Sequence, residues 1–245
     1  MKQGLFEIIE NIPLTDSVYK MVLSGDTSDI TECGQFINIK LEGKYLRRPI
    51  SVCDKDESTV TILYKVVGSG TEQMAEMSTG EKLDILTGLG NGYDTSLSGK
   101  NPVLVGGGVG VPPLYMLAKK LIKEGKSVSV ILGFNTKNEI FYEDEFRALG
   151  ANVYVTTVDG SYGTKGFVTD ALKDIDYSYF YSCGPEPMLK ALYNASNTSG
   201  QLSFEERMGC GFGACMGCSC KTITGYKRIC KDGPIMLKEE ILWEN

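Results

Sequence analysis

Four cysteines near the C-terminus constrain this chain most: Cys210, Cys215, Cys218 and Cys230, in the stretch EERMGCGFGACMGCSCKTITGYKRIC. Three closely spaced thiols, C-x₄-C-x₂-C, followed later by a fourth, is the spacing of a plant-type 2Fe–2S site. Gly209, Gly211, Gly213 and Gly217 interleave them. A cluster needs backbone folded closely around bridging sulfides, and glycine reaches the required conformations at low cost. Two other readings use the same residues. A structural zinc site also takes four thiolates, but usually as two C-x₂₋₄-C knuckles, and Cys230 stands alone. A disulfide set suits an oxidising compartment, and MKQGLFEIIE has no secretion-signal pattern. Cys220 breaks the spacing and is read as a neighbour. Cys33 and Cys53 are read as small buried hydrophobes.

The chain of 245 residues has room for two domains and a small appendix. No apolar run reaches the length of a membrane span. With 31 acids against 25 bases the formal charge is −6, which argues against nucleic acid as a partner. There is no histidine. That excludes Ser/His, Cys/His and His–metal mechanisms, and leaves chemistry to cofactors or to Asp, Glu, Lys, Tyr and Cys.

Three sections follow one another. Residues 1–98 carry short alternating runs (LFEIIENI, VYKMVLSG, GQFINIKLEG, STVTILYKVV, EKLDILTG), which predict antiparallel strands of a small sandwich or barrel. TEQMAEMS predicts one helix there. Residues 99–200 alternate strand and helix four times, which predicts a parallel sheet with helices on both faces. Residues 201–245 carry the cysteines.

The second section opens with GGGVGVPP at 106–113, between the strand PVLV and a helix. Glycines there let the backbone approach a diphosphate, and a helix N-terminus offers free N–H groups. A dinucleotide site also expects an acid at the end of the next strand. That strand ends in GFNTKNE, where Asn135 suits a ribose 2′-hydroxyl and Lys137 a 2′-phosphate, so NAD against NADP stays open. Cys183 and Gly184, in CGPEPM, form another strand-to-helix turn on the same sheet edge. In the first section, Arg47, Arg48, Pro49, Ile50 and Ser51 sit on or beside a strand, with a guanidinium fork suited to phosphate. Leu63, Tyr64 and Lys65 end another strand, where Tyr64 is placed to stack on a flat ring. Gly70 and Thr71 then open the helix.

R-P-I-S, L-Y-K with G-T, G-G-G-x-G-x-x-P and C-G-P-x-P-M, in this order, resemble the ferredoxin-reductase family. The tail EERMGCGFGACMGCSC…CKDGP resembles that of the electron-transfer subunits of dihydroorotate dehydrogenase B. The resemblance implies an antiparallel FAD-binding β-barrel (1–98), an NAD-binding α/β domain (99–200) and a small 2Fe–2S subdomain (201–245). It implies that Arg48, Pro49, Ile50, Ser51, Leu63, Tyr64, Lys65, Gly70 and Thr71 line FAD. Gly107, Gly108, Gly110, Cys183 and Gly184 would face NAD, and Cys210, Cys215, Cys218 and Cys230 would ligate iron. No residue is expected to act as acid or base. The implied partner is an FMN-containing dihydroorotate dehydrogenase catalytic subunit in a cytoplasmic hetero-oligomer, a heterotetramer serving UMP (pyrimidine) biosynthesis. Electrons would pass through 2Fe–2S and FAD to NAD⁺, with Gly209–Cys220 facing that partner. The alternative is a related FAD/2Fe–2S reductase subunit serving ferredoxin, sulfide or sulfite chemistry.

Overall fold

The computed structural model describes residues 1–243. The expected third section, 201–245, ends outside these described residues. Six strands close an antiparallel barrel in the order β1-β2-β5-β4-β3-β6. They are β1 (Lys2–Pro13), β2 (Val18–Ser24), β3 (Phe36–Lys40), β4 (Arg48–Lys55), β5 (Thr59–Lys65) and β6 (Lys82–Leu89). Period-2 alternation sends Phe6, Ile8, Met21, Leu23, Ile37, Ile39, Val60, Ile62, Leu83 and Ile85 into one interior core. β4 carries a proline, yet it pairs with β3 at Pro49 and meets β5 only from Val52 onward. The missing N–H therefore costs no ladder bond. Helix α1 (Ser69–Glu76) follows β5.

The second unit is a seven-stranded sheet in the order β10-β9-β8-β7-β11-β12-β15, its last strand, β15, being Ile235–Leu237. Its parallel strands are β7 (Pro102–Gly107), β8 (Ser129–Phe134), β9 (Asn152–Thr157), β10 (Thr164–Lys165), β11 (Tyr179–Cys183) and β12 (Gly200–Ser203). Helices α2 (Pro113–Lys123) and α3 (Glu143–Ala148) cover one face, α4 (Val168–Leu172) and α5 (Glu186–Ala195) the other. The strands are apolar throughout because both faces are buried. Leu104, Val130, Leu132 and Tyr181 point to α2, whereas Val103, Val105, Ile131 and Phe180 point to α4 and α5. In the second of the four strand–helix repeats, helix α3 begins only at Glu143, past the apolar start of IFYEDEFRALG. Phe141 and Tyr142 are instead drawn into the core, with Tyr142 at φ 65° and its ring edge-on to Tyr115 at 5.2 Å.

The cysteine section is an insertion in the edge of this sheet. β12 runs parallel to β11, and β15 (Ile235–Leu237) returns antiparallel to β12. Between them lies an irregular loop and a hairpin, β13 (Ser219–Thr222) with β14 (Gly225–Arg228). Asn91, just past the barrel, fastens the return: its Oδ1 accepts from Ile235 N at 2.9 Å and its Nδ2 donates to the Ile235 carbonyl at 2.8 Å. Asn91→Ala removes both bonds, and the expected loss is about 1–3 kcal/mol, measured as a lower midpoint in urea at unchanged slope. No helix among the described residues is long and apolar enough to cross a membrane.

Candidate functional site: a cleft at the sheet edge and a thiol loop

Barrel and sheet meet along a cleft of about 760 Å³ at the carboxyl ends of the parallel strands. Ligands of such sheets bind at this edge. The barrel's contribution follows from its pleat. Phe36 pairs with Ser51 and Asn38 with Pro49, so the outward faces of β3 and β4 form one wall. Eight of the expected residues come together in the cleft: Pro49, Ser51, Lys65, Gly107, Gly108, Gly110, Cys183 and Gly184. A Cβ added at Gly110 would lie 2.2 Å from the Cys183 carbonyl oxygen, so the turns after β7 and β11 touch backbone to backbone. Burial pushes the Cys183 thiol up to about 12, against the help of the Ser203 hydroxyl, so it stays neutral.

Other expected residues lie elsewhere. Arg48 packs beside the start of α1, where a Cβ at Gly70 would come 2.3 Å from its Nε. It also donates to the Leu46 carbonyl. Thr71 closes its own helix start, accepting from Val67 N at 2.9 Å and donating to the Gly68 carbonyl at 3.0 Å. Ile50 packs against the barrel core, and Leu63 lies in the core between barrel and sheet. Tyr64 corrects the stacking expectation. Its ring is buried inside the barrel beside Tyr19, centroids 5.8 Å apart, and its hydroxyl donates to Asn11 Oδ1 at 2.9 Å.

The cleft contains residues that strand-end reasoning passed over. Glu139 lines it beside Asn135, whose Nδ2 donates to the Glu139 carboxylate at 3.0 Å. An acid thus stands at the tip of β8, supplied by the following turn. Lys137 points away, 5.9 Å from the Tyr162 ring, and is no part of the cleft lining. The Thr156 hydroxyl at the end of β9 also lines the cleft, buried and without a hydrogen-bond partner. A buried orphan of this kind fits a site that a polar ligand completes.

The four expected iron ligands are arranged as two pairs. The Cys210 thiol interacts with Cys215, and Cys230 with Cys218. The Cys230 amide donates to Cys218 Sγ at 3.4 Å, and the Ala214 amide to Cys210 Sγ at 3.2 Å. Burial opposes ionisation of Cys210, but bonds from the Phe212 and Cys215 amides, the Cys215 side chain and the Ala214 amide outweigh it, bringing the thiol down to about 6. Burial, then the bond with Cys218 and the charges of Cys218 and Cys210, push Cys230 up to about 12. All eight cysteines are free thiols. Among the described residues no three His, Cys, Asp or Glu side chains converge on a single ion. Four thiols with that spacing would suit a two-iron cluster better than one tetrahedral zinc. Cys220 is turned aside, its Sγ 3.9 Å from Met236 Sδ.

An antiparallel barrel, a nucleotide-type parallel sheet and a thiol loop between them define a ferredoxin-reductase-like electron-transfer flavoprotein with an iron–sulfur site. Residues 205–242 match the iron-sulfur cluster binding domain of dihydroorotate dehydrogenase B, and residues 104–194 match the oxidoreductase NAD-binding domain. The chain is 48% identical to the dihydroorotate dehydrogenase B (NAD(+)) electron transfer subunit of Fusobacterium nucleatum, over 95% of each chain. It is 44% identical to that of Bacillus pumilus over 98% of each. Among solved structures it resembles an NADH-dependent reduced ferredoxin-NADP oxidoreductase, with TM-score 0.89 and 30% identity, covering 98% of this chain and 90% of that one. A ferredoxin NADP+ reductase from Neisseria gonorrhoeae with bound FAD and NADP shares the fold at TM-score 0.70 and 18% identity, covering 80% and 90%. The chain belongs to the family of electron transfer subunits of dihydroorotate dehydrogenase B (NAD(+)).

Proposed function

We propose that this chain relays electrons between an FMN-containing dihydroorotate dehydrogenase catalytic subunit and NAD⁺ in the cytoplasm, as part of pyrimidine biosynthesis. The observation that carries the reading is the insertion of the thiol loop into the edge of the nucleotide-type sheet, against the barrel wall that lines the cleft. Together, FAD and a 2Fe–2S cluster supply the exchange between two-electron hydride transfer and single-electron steps. Residues 1–98 would hold FAD, 99–200 NAD, and 201–245 the cluster.

Arg48 and the first turn of α1, with Gly70 and Thr71, place a guanidinium and a helix N-terminus together, which suits a diphosphate. Pro49, Ile50, Ser51 and Lys65 would border the flavin side through backbone and side chain, and the buried Leu63 and Tyr64 through backbone alone. Gly107, Gly108 and Gly110 leave the β7 turn bare for the dinucleotide, and Cys183 with Gly184 close the cleft beside it. Cys210, Cys215, Cys218 and Cys230 would ligate the irons. The chain has no histidine, so it brings no imidazole to the orotate chemistry, which stays with the partner. Gly209–Cys220 is the face offered to that partner.

Glu139 would favour NAD over NADP. Its carboxylate, held by Asn135, suits a ribose hydroxyl and repels a 2′-phosphate. Glu139→Lys is expected to lower KM for NADPH about tenfold, ~1.4 kcal/mol, and to raise it for NADH, read from dye reduction with each nucleotide.

The test of the whole reading is spectroscopic. The chain is purified anaerobically with its partners, and dihydroorotate or NADH is added to separate samples. Bleaching of flavin and cluster bands by both supports the relay. Bleaching by NADH alone favours the second reading, a reductase serving ferredoxin, sulfide or sulfite chemistry, for which the similarity to the NADH-dependent ferredoxin-NADP oxidoreductase speaks.

A further inference from the structure

Asn38 joins the two sites. On β3 the side chains of Ile37 and Ile39 point into the barrel, so Phe36 and Asn38 point out. Phe36 lines the cleft, and Asn38 one pleat further along is 1% exposed. Its Nδ2 donates to the Cys210 carbonyl at 3.4 Å, across 172 positions of sequence. The loop is seated on this amide: Gly211 has φ +77°, and a Cβ there would come 2.3 Å from Asn38 Nδ2. Only glycine fits both that conformation and that approach. The amide orientation is fixed, because the reverse would set two acceptors face to face. The Asn38 backbone is held as well. Arg47, paired with Asp84 at 2.9 Å, donates to its carbonyl at 3.2 Å. Yet Asn38 Oδ1 is buried with no hydrogen-bond partner. Its cross-strand neighbours, Pro49 and Leu86, have no side-chain donor to give.

We propose that Asn38 is a positioning residue that ties the Cys210 end of the thiol loop to the wall of the cleft and sets the reduction potential of the cluster held there. This rests on the reading of the loop as an iron–sulfur site. The amide presents its N–H end to the loop. A reduced cluster carries one more negative charge than an oxidised one, so this dipole favours the reduced form, as neighbouring donors do at metal sites.

The test uses the full chain in its complex, with Asn38→Leu and Asn38→Asp. Aspartate keeps the shape but cannot donate when ionised. Iron and flavin are counted per chain, and the cluster's paramagnetic signal is followed in a redox titration. In both variants the reduced-to-oxidised ratio at a fixed poise is expected to fall about tenfold, 59 mV for a one-electron couple. Selective loss of iron with flavin retained also supports the anchor. Full loading with an unchanged signal and potential overturns it. So does joint loss of flavin and iron, which marks a folding role. If the native chain shows no cluster signal, the electron-relay reading itself fails.

Discussion

Cys218→Ser is expected to give a protein that keeps its flavin and is still reduced by NADH, but delivers at most about a hundredth of the native flow between dihydroorotate and NAD⁺. Cys218 is 2% exposed and packs with Cys230 and Ile229 in the core beneath the sheet. Its sulfur already accepts the Cys230 amide at 3.4 Å, so its position is set before any iron arrives. Serine fills the space but is a far poorer ligand, because its hydroxyl does not ionise near neutral pH. Loss of groups that only support a ligand costs roughly 10–100-fold in metal affinity, and loss of a ligand should cost more. The barrel and the cleft lie outside this change, so NADH reduction of a dye should stay within about twofold of native. Cys220→Ser is the control. That thiol faces Met236, and burial raises it above its usual range. Its replacement should leave iron content unchanged. Iron content, the paramagnetic signal and the two activities together check the prediction. Parallel loss of both activities would count against separate flavin and cluster sites.

What the sequence could show depended on how local the signal was. The barrel strands were legible because Ile37, Ile39, Val60 and Ile62 alternate with residues of the opposite face. The same rule, followed two residues further, sends Tyr64 inward with Val60 and Ile62. Aromatic chemistry pointed the ring toward a ligand, and the pleat overruled it. The glycine turn at 106–110 and the cysteine spacing were legible because each is a short, contiguous pattern. Glu139 was not, because its carboxylate reaches the strand tip from the following turn through Asn135. Nor were β12 and β15. Runs as short as GQLS and IML carry no periodicity, and only their pairing shows that the cysteine section is an insertion in the sheet. Asn38 is the extreme case. Nothing near GQFINIK in the chain signals a loop 172 positions away.

Gly110→Ala should remove most of the nucleotide response while leaving flavin and iron in place. A methyl here meets one backbone peptide head-on: the Cys183 carbonyl oxygen at 2.2 Å, its carbon at 2.4 Å and the Gly184 amide nitrogen at 2.5 Å. No side-chain rotation can relieve such contacts, so the turns after β7 and β11 must part. Those turns carry Gly107, Gly108, Cys183 and Gly184, which together form the sheet side of the cleft. Overpacking of this kind costs roughly 1–3 kcal/mol, and about 2 kcal/mol lowers Tm by about 4–8 °C in a chain of this size. The effect on NADH should be larger than the effect on stability, because a diphosphate at a bare turn depends on close backbone approach. At least a tenfold rise in the NADH concentration needed for half-maximal flavin reduction is expected. Gly107→Ala gives the contrast. There the added methyl meets chiefly the Met188 sulfur at 2.6 Å, the flexible end of a side chain that can move aside. It should cost less than Gly110→Ala both in Tm and in NADH response. Stopped-flow reduction of the flavin and thermal unfolding, run on both variants, separate a clash of backbones from a clash with a movable neighbour. If the two variants behave alike, contact between the turns is not what shapes the nucleotide side of the cleft.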